Sequence, residues 1–317
     1  MFEFDEQEFA TKIKIIGVGG GGGNAVNTMI EHDLSDVEFI VVNSDIKDLK
    51  KSRAKIKLQL GRESCKGHGT GAKPDIGEKI AQESEEEIKS LLKDTDLLFI
   101  AAGMGGGTGT GASPVIASIA RKLNILTVGV VSFPYTREGT LKKTNAIQGI
   151  KKLKEEVNTL IIFQNDVLRT CYPDLTYYES YKKSDEILLS AVKAFHDVIN
   201  TTGYESLDFA DLREVISQKG YALIGIGNAE GEGRSIKAAK DAITNPLLDS
   251  LSLETCKALL INVTSSGDIL SREMDEIIDT ITSETGMDKQ IYQGFNIDEN
   301  MGNRVSVTVI ATGLEST

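Results

Sequence analysis

The chain has no tryptophan, only five prolines, three cysteines and three histidines in 317 residues. Each scarcity excludes something. Cys65, Cys171 and Cys256 are odd in number and far apart, so neither a disulfide framework nor a zinc site can be read from them, and a reducing cytoplasm fits them best. His32, His68 and His196 are equally scattered, and no set of metal ligands is assigned. Positive charge is also in deficit. Thirty-five Lys and Arg stand against 47 Asp and Glu, a net charge of −12, which argues against a nucleic-acid binder with its basic face. Apolar runs such as 97–102 fall far short of the roughly 20 residues that span a bilayer, so direct membrane insertion is not expected. The acidic start MFEFDEQEF lacks the positive, apolar character of a signal peptide.

Glycine is what the chain has in excess: 31 residues, and clustered. GVGGGGG occupies 17–23, GMGGGTGTG 103–111, and a thinner cluster, GHGTGAKPDIG, 67–77. A backbone without side chains lets N–H groups approach a ligand. The clusters are set among apolar strands expected at 12–19, 37–45, 55–61, 96–103, 125–134 and 159–165. Helical spacing is expected at 24–32, 76–92 and 113–123, with Pro114 in a first helical turn. Alternating strands and helices indicate a parallel sheet covered on both faces. A long amphipathic helix is expected from Asp185 to Asn200. Beyond it come helices near 212–218, 235–243 and 271–282 and strands near 221–229, 256–264 and 304–313, a second and smaller α/β unit.

In a parallel sheet the loops at the strand C-terminal ends lie together, and helix N-termini there supply free N–H donors and partial positive charge. A polyphosphate is the natural occupant, with backbone amides and a metal ion balancing its charge. Gly17, Gly19 and Gly22 satisfy the dinucleotide pattern G-x-G-x-x-G, with Glu38 about 20 residues on, so an NAD(P)-dependent oxidoreductase is one reading. The second rich cluster argues against it. No Gly-Lys-Ser/Thr follows any glycine run, so the Walker pattern is absent as well.

GGGTGTG at 105–111 closely resembles the signature of the tubulin/FtsZ family. The order of GVGGGGGNAVN, VNSD at 42–45, the 67–74 loop, FQND at 163–166 and LDFADL at 207–212 is similar to its bacterial FtsZ branch. The resemblance covers about 12–313. It implies an α/β fold with a parallel-sheet, Rossmann-like GTPase domain at 1–180, a long central helix at 181–203 and a C-terminal activation domain at 204–317. It implies GTP or GDP with Mg²⁺, and a cytoplasmic protein that self-associates head to tail into division filaments at mid-cell, with division-machinery partners. By the same resemblance the phosphates meet Gly20, Gly21, Gly22, Gly106, Gly107, Thr108, Gly109 and Thr110, and Gly71, Ala72 and Gly103 belong to the same nucleotide site. Asn24, Asn43 and Pro134 are further nucleotide contacts, and Glu138 is the ribose-contacting acid with Lys142 near it. Asn165 donates to guanine O6, Tyr181 stacks on the base, and Asp185 accepts from the two adjacent donors of guanine.

Around the glycine loops the sequence shows no obvious acid dedicated to catalysis. Asp208 and Asp211, i and i+3, fall beyond the long helix, and the resemblance implies that they complete the nucleotide site of the next subunit. Their alternative is an ordinary helix cap. The chain departs from the family at Ser206 and Lys73, each where Asn is usual, and at Lys142, where Arg is usual. Lys keeps the charge but loses the bidentate fork, so a divergent paralogue with slow hydrolysis is a second reading. Family members continue into a linker and a tether-binding peptide, and nothing after the last expected strand matches these.

Overall fold

The apolar runs become strands, and their parallel order follows from the helices between them. The computed structural model describes residues 11–32, 34, 36–200, 205, 207–244, 253–286 and 288–315. The chain divides into two compact units, Met1–Val157 and Asn158–Thr317, a boundary ahead of the expected one at 180. Among the described residues no helix is long and apolar enough to cross a membrane.

In the first unit β1 (Ile13–Val18), β2 (Val37–Asn43), β3 (Ile56–Gln59), β4 (Leu97–Gly103) and β5 (Leu126–Phe133) pair in the order β3-β2-β1-β4-β5. Every one of these pairings is parallel. The order reverses between β1 and β4, the topological switch point at which open α/β sheets bind ligands. Ile15, Ile16, Val18 and all of 97–102 are buried, as expected of strands covered on both faces. Two helices leave the switch point: α1 (Gly19–Glu31) after β1, and, after the second glycine cluster, α5 (Thr108–Lys122).

Both helices start earlier than their spacing predicts. The run 19–23 is the first turn of α1 itself, not a turn before Asn24. Likewise α5 opens at Thr108, which places Pro114 at its seventh residue instead of in its first turn. Between them α2 (Ile46–Lys51) follows β2, with Asp45 accepting from Lys47 N at 2.8 Å as its cap. The expected helix at 76–92 is two, α3 (Pro74–Glu83) and α4 (Glu85–Leu91), meeting at Ser84. A further helix, α6 (Thr140–Glu156), follows β5 where none was read.

In the second unit β6 (Thr159–Gln164) leads through α7 (Val167–Cys171) into α8 (Tyr177–Asn200). At 24 residues α8 is about 36 Å long, and it begins eight residues before Asp185. After α9 (Phe209–Ile216) come β7 (Gly220–Glu230), α10 (Arg234–Ile243), β8 (Ala258–Ser265), α11 (Ser271–Thr285), β9 (Gln290–Ile297) and β10 (Arg304–Leu314). The strand order is β6-β7-β10-β8-β9, with β10 antiparallel to both neighbours and the outer pairs parallel. Ala238, Ala239 and Ala242 of α10 and Ile277 and Ile281 of α11 close the core over Leu259, Ile261, Val307 and Val309. Arg234 is buried at the start of α10. Glu273 holds it through two bonds of 2.9 and 3.0 Å, and Asp268 through one of 2.7 Å. That pairing compensates a cation placed at a helix N-terminus, where the helix dipole disfavours it.

Candidate functional site: two glycine helix starts and a desolvated carboxylate

The N–H groups of a helix's first turn have no partner within the helix. In α1 and α5 no side chain caps them, and neither first turn holds an acid. The two turns meet at the switch point, so closely that a Cβ built on Gly19 would lie 2.8 Å from Gly109 N. Two sets of unpartnered donors and two positive dipole ends thus converge, which is an anion site in itself.

The glycines of this region differ in what surrounds them. A Cβ on Gly22 would overlap the carbonyl oxygen of Ala101, and one on Gly107 would overlap the Thr70 hydroxyl and stand 2.8 Å from Lys73 N. At these positions glycine is required by packing. Gly109 is of the same kind, 2.7 Å from Gly103 O on the same construction, and Gly21 stands 3.1 Å from Gly103 Cα. A Cβ on Gly106 or Gly71 would meet nothing within 4 Å, and one on Gly20 only the Asp48 carboxylate at 3.3 Å. Those three positions face open space, where a ligand can lie against bare backbone.

Hydroxyls tie the cradle together from behind. Ser44 Oγ and Thr108 Oγ1 are 2.7 Å apart and buried. Thr110 Oγ1 accepts from Gly105 N at 2.8 Å, and Ser113 donates to Gly109 O at 2.6 Å. The loop before α3 is pinned from two sides. Ile46 N donates to Gly67 O and Gly69 N to Ser44 O, while Asn145 of α6 donates to both Ala72 O (3.2 Å) and Gly105 O (3.3 Å). Ser44, Thr70 and Asn145 were not singled out from the sequence. Their partners are 64, 38 and 73 residues away, and no local pattern encodes such pairs.

The other expected contacts of this unit surround the same region. Asn24 is exposed in α1, and Asn43 is buried at the end of β2, its side chain accepting from Asp45 N at 3.2 Å. Pro134 is buried beside Gly105. Glu138 is half-buried, one oxygen accepting from Tyr135 N at 3.0 Å and the other from Lys142 Nζ at 2.8 Å. A ribose hydroxyl would have to share that carboxylate with both. Among the described residues no group of three or more His, Cys, Asp or Glu is placed to hold a metal ion.

In the second unit Asn165, at the end of β6, is buried, and its Oδ1 accepts from Ser184 Oγ of α8 at 2.8 Å. That bond fixes the amide with its NH₂ as the outward donor. One residue on is Asp185, in the third turn of α8 and not at its start. Burial, with the neighbouring Glu186 adding to it, pushes its carboxyl up to about 7. No hydrogen bond or ion pair engages it among the described residues. A desolvated carboxylate without a partner gains most from a ligand that brings donors. Tyr181, one turn earlier, packs edge-on against Tyr177 with ring centroids 5.2 Å apart.

Asp208 and Asp211 bind each other's backbone. Asp208 is the N-cap of α9, in extended conformation, accepting from Asp211 N at 2.8 Å, while Asp211 accepts from Asp208 N at 3.1 Å. This is a reciprocal capping box. Asp208 is not helical, so the two side chains do not stand in register on a helix face. One oxygen of each remains without a bond among the described residues. Burial, with Glu214 and Asp211 adding to it, raises the phenol of nearby Tyr292. Ser206 lies outside the described residues.

Comparison with known proteins agrees with this architecture. The profile of the Tubulin/FtsZ family, GTPase domain, matches residues 12–173, and that of the FtsZ family, C-terminal domain, matches 220–315. The chain is 36% identical to the FtsZ dimer, empty, of M. jannaschii, with a TM-score of 0.88 over 97% of this chain and 89% of that one. CetZ2 from Haloferax volcanii, solved as a GTPgS bound protofilament, shares the fold at a TM-score of 0.83 and 22% identity over 96% of this chain and 94% of that one. CetZ1 from the same organism, a GDP bound monomer, does so at 0.82 and 21% over 96% and 95%. The nicotinamide reading of Gly17, Gly19 and Gly22 is set aside. A Cβ on Gly17 would lie 2.5 Å from Gly22 O and 2.7 Å from Val26 Cγ2, so these glycines meet a demand of strand-to-helix packing that other nucleotide folds share. Both of its halves therefore place this chain in the tubulin/FtsZ family of GTPases, with the C-terminal domain of the FtsZ branch.

Proposed function

We propose that the chain binds GTP, polymerises head to tail, and hydrolyses the nucleotide when Asp208 and Asp211 of one subunit act on the GTP of the next. The observation that carries this reading is the pair of uncapped glycine helix starts converging at the switch point. Backbone donors there serve the phosphates, with Gly20, Gly71 and Gly106 offering the bare faces. Guanine is assigned to Asp185 and Asn165, because its N1–H and 2-amino group are adjacent donors and its O6 an acceptor. Adenine would set its N1 acceptor against the carboxylate. Mg²⁺ would be held chiefly through the bound nucleotide, since among the described residues no group of three or more ligating side chains is placed for a metal ion. Asp48, whose carboxylate lies beside Gly20, is the side chain we assign to its water shell. When bound, the ion neutralises charge that develops on the phosphate oxygens.

Asp208 and Asp211 each keep one oxygen to orient water. The 36% identical relative forms a dimer, which supports self-association here. Assembly in which one subunit completes the site of another is heterologous and propagates into filaments. A role in a division ring at mid-cell, with division-machinery partners, follows the same resemblance. Sedimentation with GTP, with GDP and without nucleotide, alongside phosphate release, tests the reading. Pelleting and phosphate release are expected with GTP alone, and their absence would remove the assembly part of it. Pelleting with slow phosphate release would favour the divergent-paralogue reading that Lys73 and Lys142 motivate.

The carboxyl of Asp185 gives a pH test of the base assignment. A carboxyl near 7 in the free protein is mostly protonated at pH 6 and mostly ionised at pH 8. Guanine requires the ionised form, so binding below pH 7 releases a proton and is weakened. GDP affinity is expected to rise about tenfold from pH 6 to pH 8 and to level off above. Titration calorimetry in buffers of differing ionisation enthalpy measures both affinity and proton release. Asp185→Asn should bind weakly and lose the slope, and an unchanged slope in that variant would remove Asp185 from the base.

A further inference from the structure

The acids assigned to hydrolysis ride on a short helix, and the second unit grips that helix at both ends. Helix α9 has eight residues, fewer than the roughly 12 that an isolated helix needs in water. Leu212, Val215 and Ile216 bury its apolar side completely. Ahead of Asp208, Glu205 exchanges backbone bonds of 2.9 and 3.3 Å with Phe295 of β9. Leu207 lies over Gly294, where a Cβ would come within 2.8 Å of its Cδ1. At the far end the last carbonyls of a helix lack partners inside it. Here Thr159 Oγ1 donates to Ile216 O at 2.8 Å and Thr312 Oγ1 to Val215 O at 2.7 Å. Both threonines are fully buried. They come from the strands on either side of β7: Thr159 of β6 pairs with Gly220, and Thr312 of β10 with Ala222. Those partners are two residues apart, so both threonines stand on one face of the sheet.

We infer that Thr159 and Thr312 are positioning residues for hydrolysis: they fix the direction of α9, and with it the place of Asp208 and Asp211 against the nucleotide of the next subunit. This rests on the reading of hydrolysis between subunits given above. The capping box ties both acids to the start of α9, and the threonines hold its end, about 12 Å away. A tilt of the helix therefore moves both carboxylates together relative to a phosphate on another molecule. A misplacement of about 1 Å can cost 10²-fold in rate. The chain's own nucleotide lies outside this lever. Thr159 opens β6, whereas Asn165 follows its end, about 20 Å along the strand.

Thr159→Val and Thr312→Val keep the branched shape and remove the hydroxyl, while Thr159→Ser and Thr312→Ser keep the hydroxyl. Phosphate release per pelleted subunit is measured against GTP concentration, well below each variant's melting temperature. The double valine variant is expected to lose about tenfold in maximal release. Its half-saturating GTP concentration, its GDP affinity and its pelleting with a non-hydrolysable GTP analogue should each stay within about twofold. Each single valine variant should lose less, and the double serine variant should recover most of the rate. If the double valine variant does not fold, the single variants carry the same comparison. A lowered melting temperature with unchanged maximal release would make the threonines merely structural. Serine variants as slow as the valine ones would remove the hydrogen bonds from the account, and release that falls only in step with pelleting would assign the threonines to assembly. Each of these results overturns the inference. Wild-type protein that neither pellets nor releases phosphate with GTP fails at the proposed function itself, a different failure from an active wild type whose rate ignores both threonines.

Discussion

Gly106→Ala is expected to leave the fold intact and to remove nucleotide binding, whereas Gly107→Ala, one residue on, is expected to damage the fold. The difference lies in what a single methyl group meets. At Gly106 it enters open space, and the backbone there is not left-handed, so the free protein can accept alanine without strain. A phosphate pressed against that backbone would instead lose its place, and a loss of about 100-fold in affinity corresponds to roughly 3 kcal/mol. At Gly107 the methyl overlaps the Thr70 hydroxyl and crowds the backbone nitrogen of Lys73. Backbone cannot rotate away as a side chain does, and overpacking of this kind costs about 1–3 kcal/mol. Thermal unfolding and fluorescent-GDP titration on both variants separate the cases. Wild-type affinity in Gly106→Ala would mean that the open face is not the ligand's. Wild-type stability in Gly107→Ala would mean that the 70–73 loop does not lie against α5.

That contrast also marks the limit of what the sequence discloses. The strands of the first unit were legible because runs such as 97–102 are apolar throughout, and parallel order follows from that. The glycine runs were legible as an anion site but were read as turns. Glycine is a poor helix former within a helix, yet in a first turn the N–H groups have no internal partner to lose. Packing against Ala101 and Gly103 then favours a residue without Cβ. Helix α6 escaped because Leu141 and Ile147 are exposed, at 68% and 55%, and blur the apolar face formed by Ala146, Ile150 and Leu153. Strand β9 escaped because Gln293, Gly294 and Asn296 interrupt its apolar residues, and the buried Asn296 is satisfied only across strands, donating to Asn262 at 3.3 Å. Asp208 and Asp211 were read both as catalytic acids and as a cap. The cap is present, and it consumes one oxygen of each.

Mixing two inactive variants is expected to restore phosphate release if catalysis passes between subunits. Asp208→Asn is the useful lesion, because asparagine caps a helix as well as aspartate does. The bond to Asp211 N can persist, so stability should hold while the carboxylate charge is gone. Loss of a group that positions or deprotonates water slows turnover by about 10²–10⁴-fold. Asp208→Ala would add about 1 kcal/mol of destabilisation from the lost cap, which is why it is the poorer test. Gly106→Ala supplies the complementary lesion: its acids are intact, but its cradle is blocked. Alone, neither variant should release phosphate. In a random one-to-one filament half the subunits hold GTP, and half of those face a neighbour with intact Asp208. Roughly a quarter of the wild-type rate per subunit should therefore return. The recovered rate should also fall more steeply than linearly on dilution, since each active site requires two molecules. A mixture that stays silent while still pelleting with GTP would place the acids and the phosphate they act on within one subunit.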